Sequence, residues 1–162
     1  MSTAGGHPDP APGSPEETAA EDAAILTHLA EAGPAARERL RSALADLVQA
    51  LASGGARVDW GGGQVSVSGV LQAPYPIYPP EVQRLREALG EVRAVYPFDW
   101  MAWDGWWNYP DGPSLAAAPV ADAVRMVTRT IRGERFFDGA IEGALRSGTL
   151  VAATRRIVDW LQ

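Results

Sequence analysis

A chain of 162 residues with no cysteine and no lysine has no thiol chemistry, disulfide framework, Schiff-base lysine or phosphate-loop lysine available to it. Its net charge of −6 divides unevenly: fifteen acids meet seven arginines in residues 1–113, a net −8, and five acids meet seven arginines in 114–162, a net +2. That footprint is too weakly basic for non-specific nucleic-acid binding. With no basic leader and no apolar run of membrane-spanning length, a cytoplasmic protein without a membrane partner is expected.

Met1 to Glu17 is rich in Gly, Pro, Ser and acid, with little to bury against the entropy of ordering, so it reads as a disordered acidic tail. One globular helical domain is expected from Thr18 to Gln162. Thr18 to Ala32 reads as a first helix, with Ile25, Leu29 and Ala32 on a narrow apolar face and His28 at its boundary. Gly33-Pro34 punctuates, and Leu40, Leu44, Leu47 and Leu51 follow a 4-3-4 spacing that predicts a second helix to Ala52. The short connection predicts that these two helices pack as an antiparallel pair.

The period then changes. Arg57–Trp60 and Gln64–Ser68 read as two strands of a hairpin turning on Gly61-Gly62-Gly63, with Val65 and Val67 on one face. A strand rather than a helix follows those glycines, which argues against a phosphate loop. Pro74, Pro76, Pro79 and Pro80 alternate with Tyr75, Ile77 and Tyr78 in an extended segment, read as a rigid crossover or as a polyproline ligand. Pro80 opens a third helix carrying Val82, Leu85 and Leu89.

Four of six tryptophans then fall within eight residues, in the run Tyr96 to Asp111. After it, Pro119 to Arg132 carries Val120, Val124, Val127 and Ile131 as an apolar stripe, with Arg125, Arg129 and Arg132 on the opposite side. Those arginines read as a solvated face, with Asp122 and Arg125 paired, or as an arginine comb for an acidic partner. A short helix from Asp138 to Arg146 is expected to bury Phe137, Ile141 and Leu145. Ser147-Gly148-Thr149 separates it from a last helix, Leu150 to Leu161.

No catalytic kit stands out. The two histidines lie in the tail and the first helix, and no nucleophile-elbow motif is present. The last two helices have helix-turn-helix proportions, but the second begins Leu150-Val151-Ala152-Ala153, without donors for a base edge. Glu134, Asp138 and Glu142 recur every four residues, which would suit a hard cation or only a helix dipole. Asp99 and Asp104 sit beside tryptophans, where desolvation raises a carboxylate's pKa. With the rings they match the parts list of a glycoside site, although Asp99 can equally cap the turn Trp100–Trp103. Asp99, Asp104, Glu134 and Asp138 are thus the catalytic candidates. Trp100, Trp103, Trp106, Trp107, Tyr109 and Arg135 are the binding candidates, and no metal or cofactor is called for.

The second half resembles a bacterial domain family of unknown function found in small stand-alone proteins. The matching blocks are Pro97-Phe98-Asp99-Trp100-Met101-Ala102-Trp103, then Ile131-Arg132-Gly133-Glu134-Arg135-Phe136, continuing through Gly139, Ala140, Ala144, Leu145 and Gly148-Thr149-Leu150. They cover about residues 78–160. The resemblance brings no activity; it implies that Asp99, Glu134, Arg135 and Asp138 meet near the tryptophans, with Arg135 buried against Asp99 or Asp138. Trp100 and Trp103, inside a matching block, are expected to face the core, and Trp106, Trp107 and Tyr109 to form a surface.

The expected fold is a mainly α, α+β domain of five to six helices with one small β-hairpin. The expected function is a non-catalytic protein-interaction module that binds a protein partner through the Trp-rich loop. The alternative is a small-molecule or glycan site built from Asp99, Asp104 and the same rings.

Overall fold

The computed structural model describes residues 13–162, so the tail through residue 12 lies outside the described residues. Among the described residues there are seven α-helices and one two-stranded antiparallel sheet, a helical α+β architecture. The first helix, α1 (Pro15–Ala30), starts earlier than its apolar face does, because Ser14 caps it and Pro15 suits its first turn. Three residues assigned to the tail are therefore helical.

Its partner also differs from expectation. α1 lays Ile25 and Leu29 on α5 (Val120–Gly133), while α2 (Pro34–Ala52) pairs chiefly with α3 (Pro80–Glu91). An ion cluster around the buried Arg125, described below, links α1 to α5. Arg37 locks the corner between the helices: its guanidinium donates to the backbone oxygens of Ala30, Ala32 and Leu161. α7 (Thr149–Trp160) is central, packing on α2, α5, the short α4 (Gly112–Leu115) and α6 (Ala140–Arg146).

The apolar stripes form the core except at their last members in α2 and α5, Leu51 and Ile131, which are half-buried. Leu40, Leu44 and Leu47 of α2, Val82, Leu85 and Leu89 of α3, and Val120, Val124 and Val127 of α5 are all buried, as are Leu150 and Ile157 of α7. No tryptophan is in this buried set; the core is aliphatic and the tryptophans lie over it. No described helix is long and apolar enough to cross a membrane.

The hairpin departs from its expected register. β1 (Asp59–Gly61) pairs with β2 (Tyr75–Ile77), placing Trp60 opposite Pro76, so the proline-rich segment is the returning strand and not a crossover. Beyond it the arm continues: Gly63 N donates to Gln72 O, Gln72 N to Gln64 O, and Ser66 N to Val70 O. It turns at Val67–Gly69. Gly62, with φ +75°, is a kink inside the arm, where a Cβ would lie 2.3 Å from the Ala73 carbonyl oxygen. Val65 and Val67, expected together on one face, are both exposed in the outer part of the arm.

Candidate functional site

The tryptophan run leaves α3 through a segment pinned to α5 by Thr128, whose buried hydroxyl accepts from Tyr96 N and donates to Ala94 O. His28 stands edge-on to Tyr96, 5.5 Å between centroids, as a boundary side chain. Asp99 Oδ1 accepts from Ala102 N and thus acts as a turn cap. A 3-10 turn, Gly105–Asn108, then carries Trp106 and Trp107, which stack with centroids 3.6 Å apart. Tyr109 closes the run by donating to Asp122 Oδ2 at 2.6 Å.

Asp122 belongs to an ion cluster centred on a buried arginine. The Arg125 side chain is only 3% exposed. Its Nη1 meets Asp122 at 2.9 Å, its Nε and Nη2 meet Glu21 Oε1 at 2.9 and 2.7 Å, and Asp22 Oδ1 lies 2.6 Å from Nη2. Burial alone would lower the Arg125 pKa, but the three carboxylates outweigh it and the net shift is upward. The expected Asp122–Arg125 pair is present, yet Arg125 is buried against α1 rather than solvated, while Arg132 on the same side is exposed. The cluster ties α1, α5 and, through Tyr109, the tryptophan loop together.

Between that loop, α5 and the α6–α7 turn lies a cleft of about 420 Å³. Trp100, Trp106, Tyr109 and Phe137 supply aromatic walls, Met126 and Ala144 line its base, and Ser147 and Thr149 stand at the turn. Arg129 reaches into it with its guanidinium carbon 4.1 Å from the Trp106 ring centroid, a cation–π contact. Burial lowers the Arg129 pKa, although an arginine stays protonated. Among the described residues Arg129 has no carboxylate partner.

Outside the cleft, Glu134 holds the start of α6 in place. It accepts from the Tyr78 hydroxyl at 2.7 Å, from Gly139 N at 3.0 Å and from Ile141 N at 2.7 Å, capping α6 from outside the helix. Trp60 adds a second clamp, its Nε1 donating to Glu142 Oε2 while its ring covers Gly139.

Two expectations for this turn fail for one reason. Residues 134–139 are tight turns, with Phe136 N and Phe137 N both donating to Gly133 O, and α6 begins only at Ala140. The four-residue spacing through Phe137 therefore does not continue one helix, and Phe137 is 64% exposed instead of buried. Glu134, Asp138 and Glu142 likewise share no helical face. Arg135, expected to be buried against Asp99 or Asp138, is exposed and has no salt bridge among the described residues. The buried arginine is Arg125, which lies in no block of the resemblance.

Trp100 and Trp103 do not form a core pair. Trp103 packs on the core and edge-on to Phe98, whereas Trp100 is half-buried, tilts on Phe136 and lines the cleft. Trp106 also packs on the core, while Trp107 is 71% exposed. None of Asp99, Asp104, Glu134 and Asp138 lines the cleft. Ser147 and Thr149 share a hydrogen bond with each other, without a histidine. The cleft can stack a flat or apolar group and pair an anion with Arg129; it offers no acid–base or nucleophile pair. α7 buries Leu150 and Ala153 of its first turns, which leaves them unable to enter a DNA groove.

Two half-buried phenols provide a check on this geometry. Burial first, and then the Glu134 carboxylate, hold Tyr78 well above the usual phenol range; burial and Asp122 do the same for Tyr109. The unfolded phenols ionise near pH 10, so between there and the raised folded values the native state holds more protons. Stability is therefore expected to fall as pH rises above about 10. Phenolate absorbance should show Tyr78 and Tyr109 ionising together with loss of helical circular dichroism. Tyr78→Phe and Tyr109→Phe should each remove one such late transition; early, independent ionisation of both phenols would contradict the contacts.

The sequence model of a family described as Family of unknown function (DUF6508) matches residues 36–162. The match starts well before residue 78, taking in most of α2 and the hairpin, and leaves α1 outside. No curated protein and no solved structure matches the chain.

Proposed function

The chain belongs to the DUF6508 family, which has no assigned activity, and we propose that it is a non-catalytic protein-interaction module. In this reading the aromatic cleft receives an apolar side chain from an acidic segment of a partner protein. The observation that carries it is Arg129, stacked on Trp106 inside an apolar cleft with no carboxylate of its own among the described residues. A desolvated guanidinium on an aromatic platform attracts an anion more strongly than an exposed one does. Arg132 in the last turn of α5 and Arg135 in the turn that follows are exposed and without salt bridges among the described residues, which adds positive charge to this end of the molecule. Met101, Trp107, Phe136 and Phe137 are each more than 60% exposed, and clustered apolar exposure with Trp and Arg is the composition of interface hot spots.

Affinity capture from cells that encode the protein tests this, comparing wild type with Trp107→Ala and Arg129→Met. A captured partner should be lost by both variants, and its binding to wild type, repeated with purified components, should weaken as salt rises. Folded variants that retain every partner would refute it.

A second reading, a small anionic aromatic or sugar ligand, is favoured by the concavity of the cleft, whose volume lies in the range of ligand sites. A glycoside-hydrolysing form of it lacks support, since that chemistry canonically places two carboxylates about one cavity and no carboxylate lines this one.

A further inference from the structure

A second cavity, of about 610 Å³, opens on the other side of the α6–α7 turn from the aromatic cleft. Its walls are Leu51 from the last turn of α2, Pro113 and Ala116 from α4, Leu145 from α6, and Val151 and Ala152 from α7. Gly112 and Gly148 form the seam between α4 and the turn. Gly112 N donates to Ser147 O at 3.0 Å, and a Cβ on Gly112 would stand 2.9 Å from the Gly148 carbonyl oxygen. Backbone therefore meets backbone there, and the cavity wall is rigid where it would otherwise be filled by a side chain.

The rim is charged on one side. Arg156 is half-buried, and its Nε donates to Ala118 O at 2.8 Å, which orients the guanidinium while its two terminal nitrogens have no partner among the described residues. Arg155 is exposed beside it. Neither arginine, nor Asp159 on the same rim, has a salt bridge among the described residues, although Asp159 follows them by three and four residues on one helix. Two cations and one anion leave the rim a single positive charge in excess. A preset guanidinium at the mouth of an apolar cavity matches a molecule with one carboxylate and a hydrocarbon body. Asp159 disfavours a second negative charge.

We propose that this cavity is a binding site for an amphipathic monocarboxylate of the medium-chain alkanoate class. The chain lies along Leu51, Leu145, Val151 and Ala152, and the carboxylate accepts from Arg156 and Arg155. The site is independent of the aromatic cleft and does not require the cleft to bind a protein.

The test is a titration of the full chain with decanoate, and with decanol as its uncharged counterpart, followed by calorimetry and by amide chemical shifts. Saturable decanoate binding is expected, with shifts centred on Leu145, Val151 and Ala152 and an affinity about ten-fold above that of decanol. Arg156→Gln and the fully surface-placed Arg155→Gln should each weaken decanoate several-fold and leave decanol unchanged. Ala152→Phe, which fills the cavity, should abolish binding of both. Three results would overturn the proposal: no saturable decanoate binding, decanol binding as tightly as decanoate, or decanoate affinity unchanged in the arginine variants. Arg155 is exposed and makes no salt bridge among the described residues, so Arg155→Gln gives a decisive reading even if Ala152→Phe, or Arg156→Gln through loss of its bond to Ala118 O, disturbs folding.

Discussion

Replacing Arg125 with methionine is expected to lower the free energy of unfolding by about 3 kcal/mol and the Tm by roughly 6–12 °C. The substitution nearly conserves volume but removes the only cation among Glu21, Asp22 and Asp122, which then face one another across α1 and α5. Breaking a buried ion pair by deleting one partner costs about 3–5 kcal/mol, because the remaining charge is left uncompensated. The lower end applies here, since the three carboxylates are 24–40% exposed and water screens part of their repulsion. Urea unfolding measures the loss. Adding Glu21→Gln to Arg125→Met should recover part of it, because the two sites are directly coupled. Amide exchange should accelerate in α1 more than in α7, since α1 is held to α5 by this cluster together with Ile25 and Leu29. A variant with wild-type stability and unchanged exchange in α1 would show that the cluster is not what holds that helix.

Ile157→Ala should cost a similar or larger amount, about 2–5 kcal/mol, by deleting buried methyl and methylene groups and leaving a cavity. Ile157 is fully buried on α7, the helix that touches α2, α4, α5 and α6, so neighbours held from four sides have little room to collapse into the space. Val67→Ala makes the matched control. Val67 is fully exposed at the hairpin tip, and its truncation should stay within about 0.5 kcal/mol. Equal losses for both would contradict the assignment of core and arm.

The legible parts of the fold were those whose evidence is local. The leucine stripe of α2 and the valine stripe of α5 repeat at helical spacing, and a stripe of that kind has one stable outcome, burial against another element. The proline openings of α2 and α3 and the Gly148 stop before α7 were readable for the same reason: each acts within one turn of the chain. The short α4 has no apolar stripe to mark it, although Asp111 and Ser114 carry its reciprocal capping box in the sequence.

The hairpin and the Phe136–Phe137 turn were misjudged because each resembles a local pattern that a distant contact overrides. Three glycines read as a hairpin turn, but the arm extends past them once Trp60 pairs with Pro76 and docks on Glu142. Phe137 continues the four-residue spacing of α6, but Glu134 draws the chain into tight turns by capping Gly139 and Ile141.

For the candidate site, the sequence by itself established that a dense aromatic run stands beside an arginine-bearing helix, that thiol and lysine chemistry are absent, and that no nucleophile–base motif is present. Those are statements of inventory and spacing, and inventory survives folding. Which arginine is buried, which tryptophans line a cleft and which carboxylates serve as caps were decided only by the tertiary structure. Glu21 and Arg125 are 104 residues apart, Trp60 and Glu142 are 82 apart, and Tyr78 and Glu134 are 56 apart. A side chain's burial and charge partners depend on which helical faces meet. That is settled by the total apolar area the packed domain removes from water, not by any stretch of chain short enough to carry a motif.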